Sequence, residues 1–131
     1  FGAPSIETMV PLMFSEGVIK RKLPIWWMSR MLSENPARIF GLYPQKGIIQ
    51  PGSDADILII DPNDKSIIKA ENHQSTTGYT PYENWEITGK PWMTLLRGNI
   101  LLNNGKLEQN PGIGNFIHAS APISPISGMS S

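Results

Sequence analysis

Residues 46–61 read KGIIQPGSDADILIID, and this stretch decides the fold. A type II turn suits Gln50–Ser53, because Pro51 sets φ to about −65° and Gly52 accepts a positive φ. The run Ile57–Ile60 lacks polar alternation, which is typical of a strand covered on both faces. We therefore predict that the stretch forms a buried pair of strands, the first of them at Ile48–Ile49.

Two aspartates, Asp54 and Asp56, precede the longer apolar run. Their carboxylates suggest a metal site, but Asp also fixes turns through its side chain. The second interpretation is favoured, so we expect both residues to fix the start of the strand. Proline cannot donate to a ladder, and Asp and Asn favour turns, so Asp61–Asn63 is predicted to end the strand.

The composition bounds the class of protein. The chain has 131 residues, a formal net charge of +0 and no cysteine. That length suits one domain or part of a larger one. Charge balance argues against a nucleic-acid or acidic-membrane partner, and the missing thiols exclude disulfides and cysteine nucleophiles. Because Phe1 opens the chain without an initiator Met or a signal peptide, we interpret the sequence as a piece of a longer cytoplasmic protein.

The first third of the chain has helical periodicity. A helix with one apolar face is predicted from Ser5 to Gly17, a second begins at Pro24, and a short third runs from Asn35 to Gly41. Later runs are short and separated by Pro, Gly, Asn and Asp. They predict strands at Ser66–Ala70, Trp92–Leu96, Asn99–Leu102 and, after the turn Asn103–Gly105, at Lys106–Leu107.

Residues that carry catalysis are sparse. His73 and His118 are far apart in sequence and have no clustered metal ligands around them, so each is interpreted as a lone surface histidine. Gly112–Gly114 lacks the third glycine and the helix of a dinucleotide fingerprint. From spacing alone, the chain carries no self-sufficient active site.

Longer motifs support a resemblance. Ser33–Pro44 (SENPARIFGLYP) and Pro51–Ile57 (PGSDADI) resemble the C-terminal part of cyclic amidohydrolases. Gly2–Thr8 (GAPSIET) narrows the resemblance to the D-hydantoinase and dihydropyrimidinase branch. Tyr79–Glu83 (YTPYE) resembles the same branch or allantoinase. The resemblance covers residues 1–117.

The resemblance implies an α+β fragment. Residues 1–43 would be the last helices of a TIM-barrel amidohydrolase, 44–117 the strands of a small β-sandwich domain, and 118–131 a flexible C-terminal tail. The parent would be a metal-dependent hydrolase that opens cyclic amide rings of the hydantoin or dihydropyrimidine type. The fragment itself would be structural and without catalytic groups.

The resemblance also implies two divalent metal ions, expected to be zinc, in the full-length protein and none bound by this fragment, because the family's ligands lie upstream of Phe1. Phe1 and Gly2 are the expected substrate-binding lip residues, through their main chain. Expected partners are the remainder of its own chain, a small cyclic amide and further copies in a homotetramer; neither nucleic acid nor membrane is expected.

Three alternatives stay open. The parent could be a non-enzymatic dihydropyrimidinase-like scaffold of the collapsin response mediator type, or an allantoinase. The fragment could also be an autonomous β interaction module.

Overall fold

The computed structural model describes residues 3–108 and 112–125. Two helical segments are followed by a four-stranded sheet in the order β1-β2-β3-β4. The strands are β1 (Ile57–Ile67), β2 (Glu86–Leu96), β3 (Asn99–Asn103) and β4 (Lys106–Leu107), with a short 3₁₀ helix at Ala70–Asn72 after β1. The predicted α+β class is confirmed at this level.

The first helical segment is longer than predicted. Helix α1 (Ile6–Leu12) continues as a π-helix over Met13–Lys20, so the predicted end at Gly17 is wrong. Gly17 is buried inside this wider helix, where its lack of a side chain does not force a stop. The segment closes at Arg21, whose backbone N–H donates to the Glu16 carbonyl at 3.3 Å in the i→i+5 pattern of a π turn.

The second helical segment is continuous. Helix α2 (Ile25–Ser29) passes through a π-helical turn, Arg30–Glu34, into helix α3 (Asn35–Ile39). The predicted fresh start at Asn35 is wrong, because Asn35 has right-handed helical dihedrals (φ −62°, ψ −45°). Pro36 is the second residue of α3, just after the π turn, so its missing N–H falls close to where the hydrogen-bond register changes.

The predicted end of the second segment is confirmed. Gly41 has φ +67°. The N–H of Leu42 donates to the Ala37 carbonyl at 2.7 Å, and that of Gly41 donates to the Arg38 carbonyl at 3.2 Å. This pair of bonds is a Schellman ending, which needs a residue in the left-handed region.

Within residues 46–61 the predicted turn at Gln50–Ser53 is confirmed, whereas the prediction of a strand at Ile48–Ile49 is wrong. The N–H of Ser53 donates to the Gln50 carbonyl at 3.2 Å, and Gly52 has φ +91°. Ile48–Ile49 forms no strand, and Ile49 is 81% exposed. With only two apolar residues between Gly47 and Gln50, this piece is too short to hold a ladder of its own.

Strand β1 also departs from the prediction. It runs through Asp61–Asn63 instead of ending there, because it lies at one edge of the described sheet, where a proline need not interrupt pairing. The Asp61 carboxylate accepts the Asn63 N–H at 2.9 Å. Leu58 and Ile59 are 41% and 39% exposed, so the described residues do not cover both faces of the strand as predicted.

The later strands follow the prediction more closely. Antiparallel β2 and β3 pair from Leu96 with Asn99 to Met93 with Asn103, around the tight turn at Arg97–Gly98. The predicted strands Trp92–Leu96 and Asn99–Leu102 are confirmed, as is the turn that leads into β4. The predicted strand Ser66–Ala70 is mostly wrong, because β1 ends at Ile67 and a 3₁₀ helix follows.

The chain divides into two compact units. One takes its described residues from Phe1–Leu23 and Ile60–Pro91, and its core contains Phe14, Ile68 and Ile87. The other takes them from Pro24–Ile59 and Trp92–Ser131, and Met28 and Ala37 are its buried apolar residues.

Candidate functional site

A charged cluster surrounds Lys46 in the second unit. Its ammonium lies 2.8 Å from Asp54 Oδ2 and also binds Asp56 Oδ2. The Gln45 side-chain amide donates to Asp54 Oδ2 at 3.2 Å. The backbone N–H of Arg97 donates to Asp56 Oδ1 at 2.8 Å, which ties the start of β1 to the turn between β2 and β3.

These contacts confirm that the two aspartates fix the start of the strand. Asp56 immediately precedes β1, and the Ala55 carbonyl accepts the Gly98 N–H at 3.0 Å beside it. Both carboxylates already bind the same ammonium group. No group of three or more His, Cys, Asp or Glu side chains among residues 3–108 and 112–125 has the arrangement of a metal site.

The contacts within the cluster shift the pKa values of Asp54 and Lys46. The hydrogen bond from Lys46 holds the pKa of Asp54 below its ordinary 3.8, and the positive charge of Arg97 acts in the same direction. Burial alone would lower the pKa of Lys46. The hydrogen bonds and charges of Asp54 and Asp56 together outweigh burial and raise it above 10.5. Both groups therefore stay ionised at neutral pH, which suits a structural ion pair and not a proton-transfer site.

An open cleft of about 380 Å³ adjoins this cluster within the second unit. Gln45, Asp54 and Arg97 line it together with residues 115–118. His118 in this segment is exposed, and its ring meets Phe116 edge-on with centroids 4.9 Å apart. The histidine therefore lies at the surface, as the sequence predicts.

A second cavity of about 360 Å³ lies in the first unit, between residues 3–7 and residues 73–75. The Glu7 carboxylate joins its two sides, because it accepts the backbone N–H of Gln74 and of Ser75, both at 2.9 Å. His73 lines this cavity and is half-buried, more enclosed than the lone surface position predicted for it. Phe1 and Gly2, the predicted substrate-binding lip residues, lie outside the described residues.

Two residues that hold the charged cluster and the first-unit cavity together, Arg97 and Glu7, were not predicted from the sequence. Glu7 lies in the first turn of α1, and nothing in the sequence pairs it with residues 67 and 68 positions away. The position of Arg97 beside Gly98, between two predicted strands, was the one available signal that its backbone N–H would be free to bind Asp56.

In the part of the chain that the structure describes, no helix has the length and apolar character that crossing a membrane requires.

Comparison with known proteins gives consistent results. The sequence profile of the Amidohydrolase family matches residues 6–101. The L-hydantoinase of Paenarthrobacter aurescens and the D-hydantoinase of Geobacillus stearothermophilus are each 37% identical over 116 residues, which are 88% of this chain and 25% of theirs. The solved L-hydantoinase (dihydropyrimidinase) from Arthrobacter aurescens superposes with a TM-score of 0.80 at 37% identity, over 82% of this chain and 24% of that one.

The chain thus spans about a quarter of the length of the curated relatives that it matches. The profile match covers most of the described residues, including both helical segments and strands β1 and β2. The chain belongs to the amidohydrolase family.

Proposed function

We propose that this chain is the C-terminal quarter of a metal-dependent hydrolase that opens cyclic amide rings of the hydantoin or dihydropyrimidine type. The observation that carries the proposal is the similarity to hydantoinases at 37% identity over 116 residues. The described residues form helices, strands and structural ion pairs. Their contribution to the reaction is to build the scaffold that supports a reactive centre.

The proposal includes the architecture that the resemblance implies. Residues 1–43 would supply the last helices of a TIM barrel, 44–117 the strands of a small β-sandwich, and 118–131 a tail. Several large apolar side chains support further layers in the full-length protein, since Ile6 is 88% exposed and Phe40 is 67% exposed. Apolar side chains with this exposure normally mark surfaces that another part of a structure covers.

Membership of the amidohydrolase family suggests a divalent metal in the full enzyme. We propose two ions, both zinc. Such ions would lower the pKa of bound water and polarise the ring carbonyl. The described residues do not fit this role, because Asp54 and Asp56 are both occupied by Lys46. We therefore assign the ligands to parts of the full-length protein outside the described residues.

Three finer points rest on the resemblance alone. The main chain of Phe1 and Gly2 would contact the substrate ring. The full-length protein would assemble as a homotetramer, and it would act in the cytoplasm.

Ring opening by the full-length protein tests the proposal. Hydrolysis of a ring amide creates a new carboxylate, so product can be followed by acid release at neutral pH. We expect turnover of a hydantoin or of a dihydropyrimidine, loss of turnover on chelation, and recovery with zinc. Turnover confined to allantoin, the 5-ureido derivative of hydantoin, would instead identify an allantoinase. A metal-free, inactive and well-folded protein would instead identify a non-enzymatic scaffold.

A further inference from the structure

Residues 113–123 of the second unit form an extended segment that is attached to other parts of the unit at both ends. This segment has no regular secondary structure, yet backbone hydrogen bonds fix its far end to the C-terminal end of helix α3. The Ser120 N–H donates to the Gly41 carbonyl at 2.7 Å, and the Ile123 N–H donates to the Arg38 carbonyl at 2.9 Å.

Helix geometry explains why this position accepts a peptide segment. The last carbonyls of an α-helix have no partner inside the helix. A carbonyl oxygen has two lone pairs, so the Arg38 oxygen can accept from Gly41 within the helix ending and from Ile123 at the same time. Both donors are main-chain groups, which leaves the attachment independent of the side chains in the segment.

Gly41 is required for the close approach. A Cβ built on Gly41 would lie 2.0 Å from the Ser120 carbonyl oxygen and 2.8 Å from its carbonyl carbon. Backbone atoms cannot yield to such an overlap unless the segment moves away. A glycine at residue 41 therefore allows both the close approach of Ser120 and the left-handed backbone that ends the helix.

The near end of the segment has a different anchor. The guanidinium of Arg97 donates from Nη2 to the Ile113 carbonyl. Between the two anchors, residues 115–118 line the 380 Å³ cleft together with Asp54. Phe116 is 85% exposed, so the middle of the segment is held mainly by its ends.

We propose that residues 113–123 are a releasable strap that lines the cleft beside Asp54 while both of its ends are attached. The Arg38 and Gly41 carbonyls seat one end and the Arg97 guanidinium seats the other. Release of either end widens the cleft and leaves the helices and strands of the unit folded.

Amide hydrogen exchange in the full-length protein tests the strap. In Gly41→Ala, we expect exchange at Ser120 and Ile123 to rise by about tenfold or more, while amides in β2 and β3 are unchanged. Gly52→Ala is the matched control, because Gly52 also has a positive φ (+91°) but nothing within 4 Å of a built Cβ. This control also places a side chain on a residue with a positive φ, and it should leave exchange at Ser120 and Ile123 unaltered.

A second variant covers the case in which Gly41→Ala fails to fold. Arg97→Met removes the guanidinium donor and keeps the backbone N–H that binds Asp56. It should make the bonds around residues 113–118 more susceptible to limited proteolysis, whereas Arg21→Met should not. Unchanged exchange and proteolysis in the strap variants would overturn the proposal. Equal changes in the control variants, or a matching loss of protection in β2 and β3, would overturn it too.

Discussion

The hydroxyl of Ser15 accepts a hydrogen bond from the backbone N–H of Thr88 at 3.0 Å, across 73 positions of sequence. Ser15 has no exposed surface, so this bond joins the π-helical stretch to strand β2 in a place that water does not reach. A buried polar group that loses its partner costs free energy, because nothing replaces the bond.

Ser15→Ala should therefore lower the free energy of unfolding of the full-length protein by about 1–3 kcal/mol. The Thr88 N–H would lose its acceptor, while the volume of the site would change little. Chemical denaturation measures the effect. Ser29→Ala is the control, since Ser29 is exposed on α2 and its replacement should stay within about 0.5 kcal/mol of wild type. Equal stabilities for the two variants would show that the Ser15 bond contributes nothing.

Glu7→Gln should loosen the loop that Glu7 holds. Each carboxylate oxygen accepts one backbone N–H, from Gln74 or Ser75, and an amide side chain offers only one acceptor. We expect amide exchange at one or both of these residues to accelerate by about tenfold, which corresponds to a bond worth about 1.4 kcal/mol. Hydrogen exchange with mass spectrometry resolves this loop.

The control for that experiment is Glu71→Gln, which removes the same charge from an exposed position. Faster exchange at Gln74 and Ser75 in the control, or unchanged exchange in Glu7→Gln, would contradict the role assigned to the carboxylate.

The Lys46 cluster should make stability depend on pH at both extremes. Because the folded pKa of Asp54 lies below its ordinary value, its contribution is present above about pH 3.8 and is lost as pH falls through the lowered pKa. Because the folded pKa of Lys46 is raised, its contribution is complete below about pH 10.5 and is lost as pH rises through the raised pKa.

Asp54→Asn should flatten the acid limb of a plot of unfolding free energy against pH. Lys46→Met should flatten it as well, because it removes the main cause of the shift in Asp54. The doubly substituted protein should lose little beyond the single variants, since both remove one interaction. An acid limb with the wild-type slope in all three variants would contradict this account.

The exposed residues of β1 should make the isolated 131 residues associate. Leu58 and Ile59 lie on an edge strand with 41% and 39% of their surfaces exposed. Apolar edge strands of this kind invite pairing with other chains. Leu58→Thr with Ile59→Thr should reduce the association measured by sedimentation, while Asn63→Thr with Lys65→Thr in the same strand should not. A monomeric wild-type piece with a sharp, concentration-independent unfolding transition would refute the prediction.

Turns and helix ends could be predicted from the sequence wherever a residue restricts its own backbone angles. Gly41 ended a helix because the Schellman bonds need a left-handed residue, and Pro51–Gly52 formed the expected turn. Asn103–Gly105 formed the expected turn into β4, because Asn and Gly accept the positive φ angles of a tight turn. These features depend on a few neighbouring residues.

Features decided by distant contacts were not readable in the same way. The π-helical stretches carry no pattern that separates them from α-helix, so Gly17 was misinterpreted as the end of one helix and Asn35 as the start of another. The apolar run at Ile57–Ile60 indicated cover on two faces, but covering layers must come from other parts of a protein. Of the candidate sites, the aspartate pair was interpreted correctly because Asp has a strong local preference for turns.

The central claim is that this chain builds the scaffold of a cyclic amidohydrolase whose metal ions are held elsewhere in the full-length protein. Its most direct test is the zinc content of that protein, measured for wild type and for a variant with both His73→Ala and His118→Ala. We predict two ions per chain in each. Loss of zinc from the histidine variant, or metal-free wild-type protein that still opens the ring, would contradict the claim.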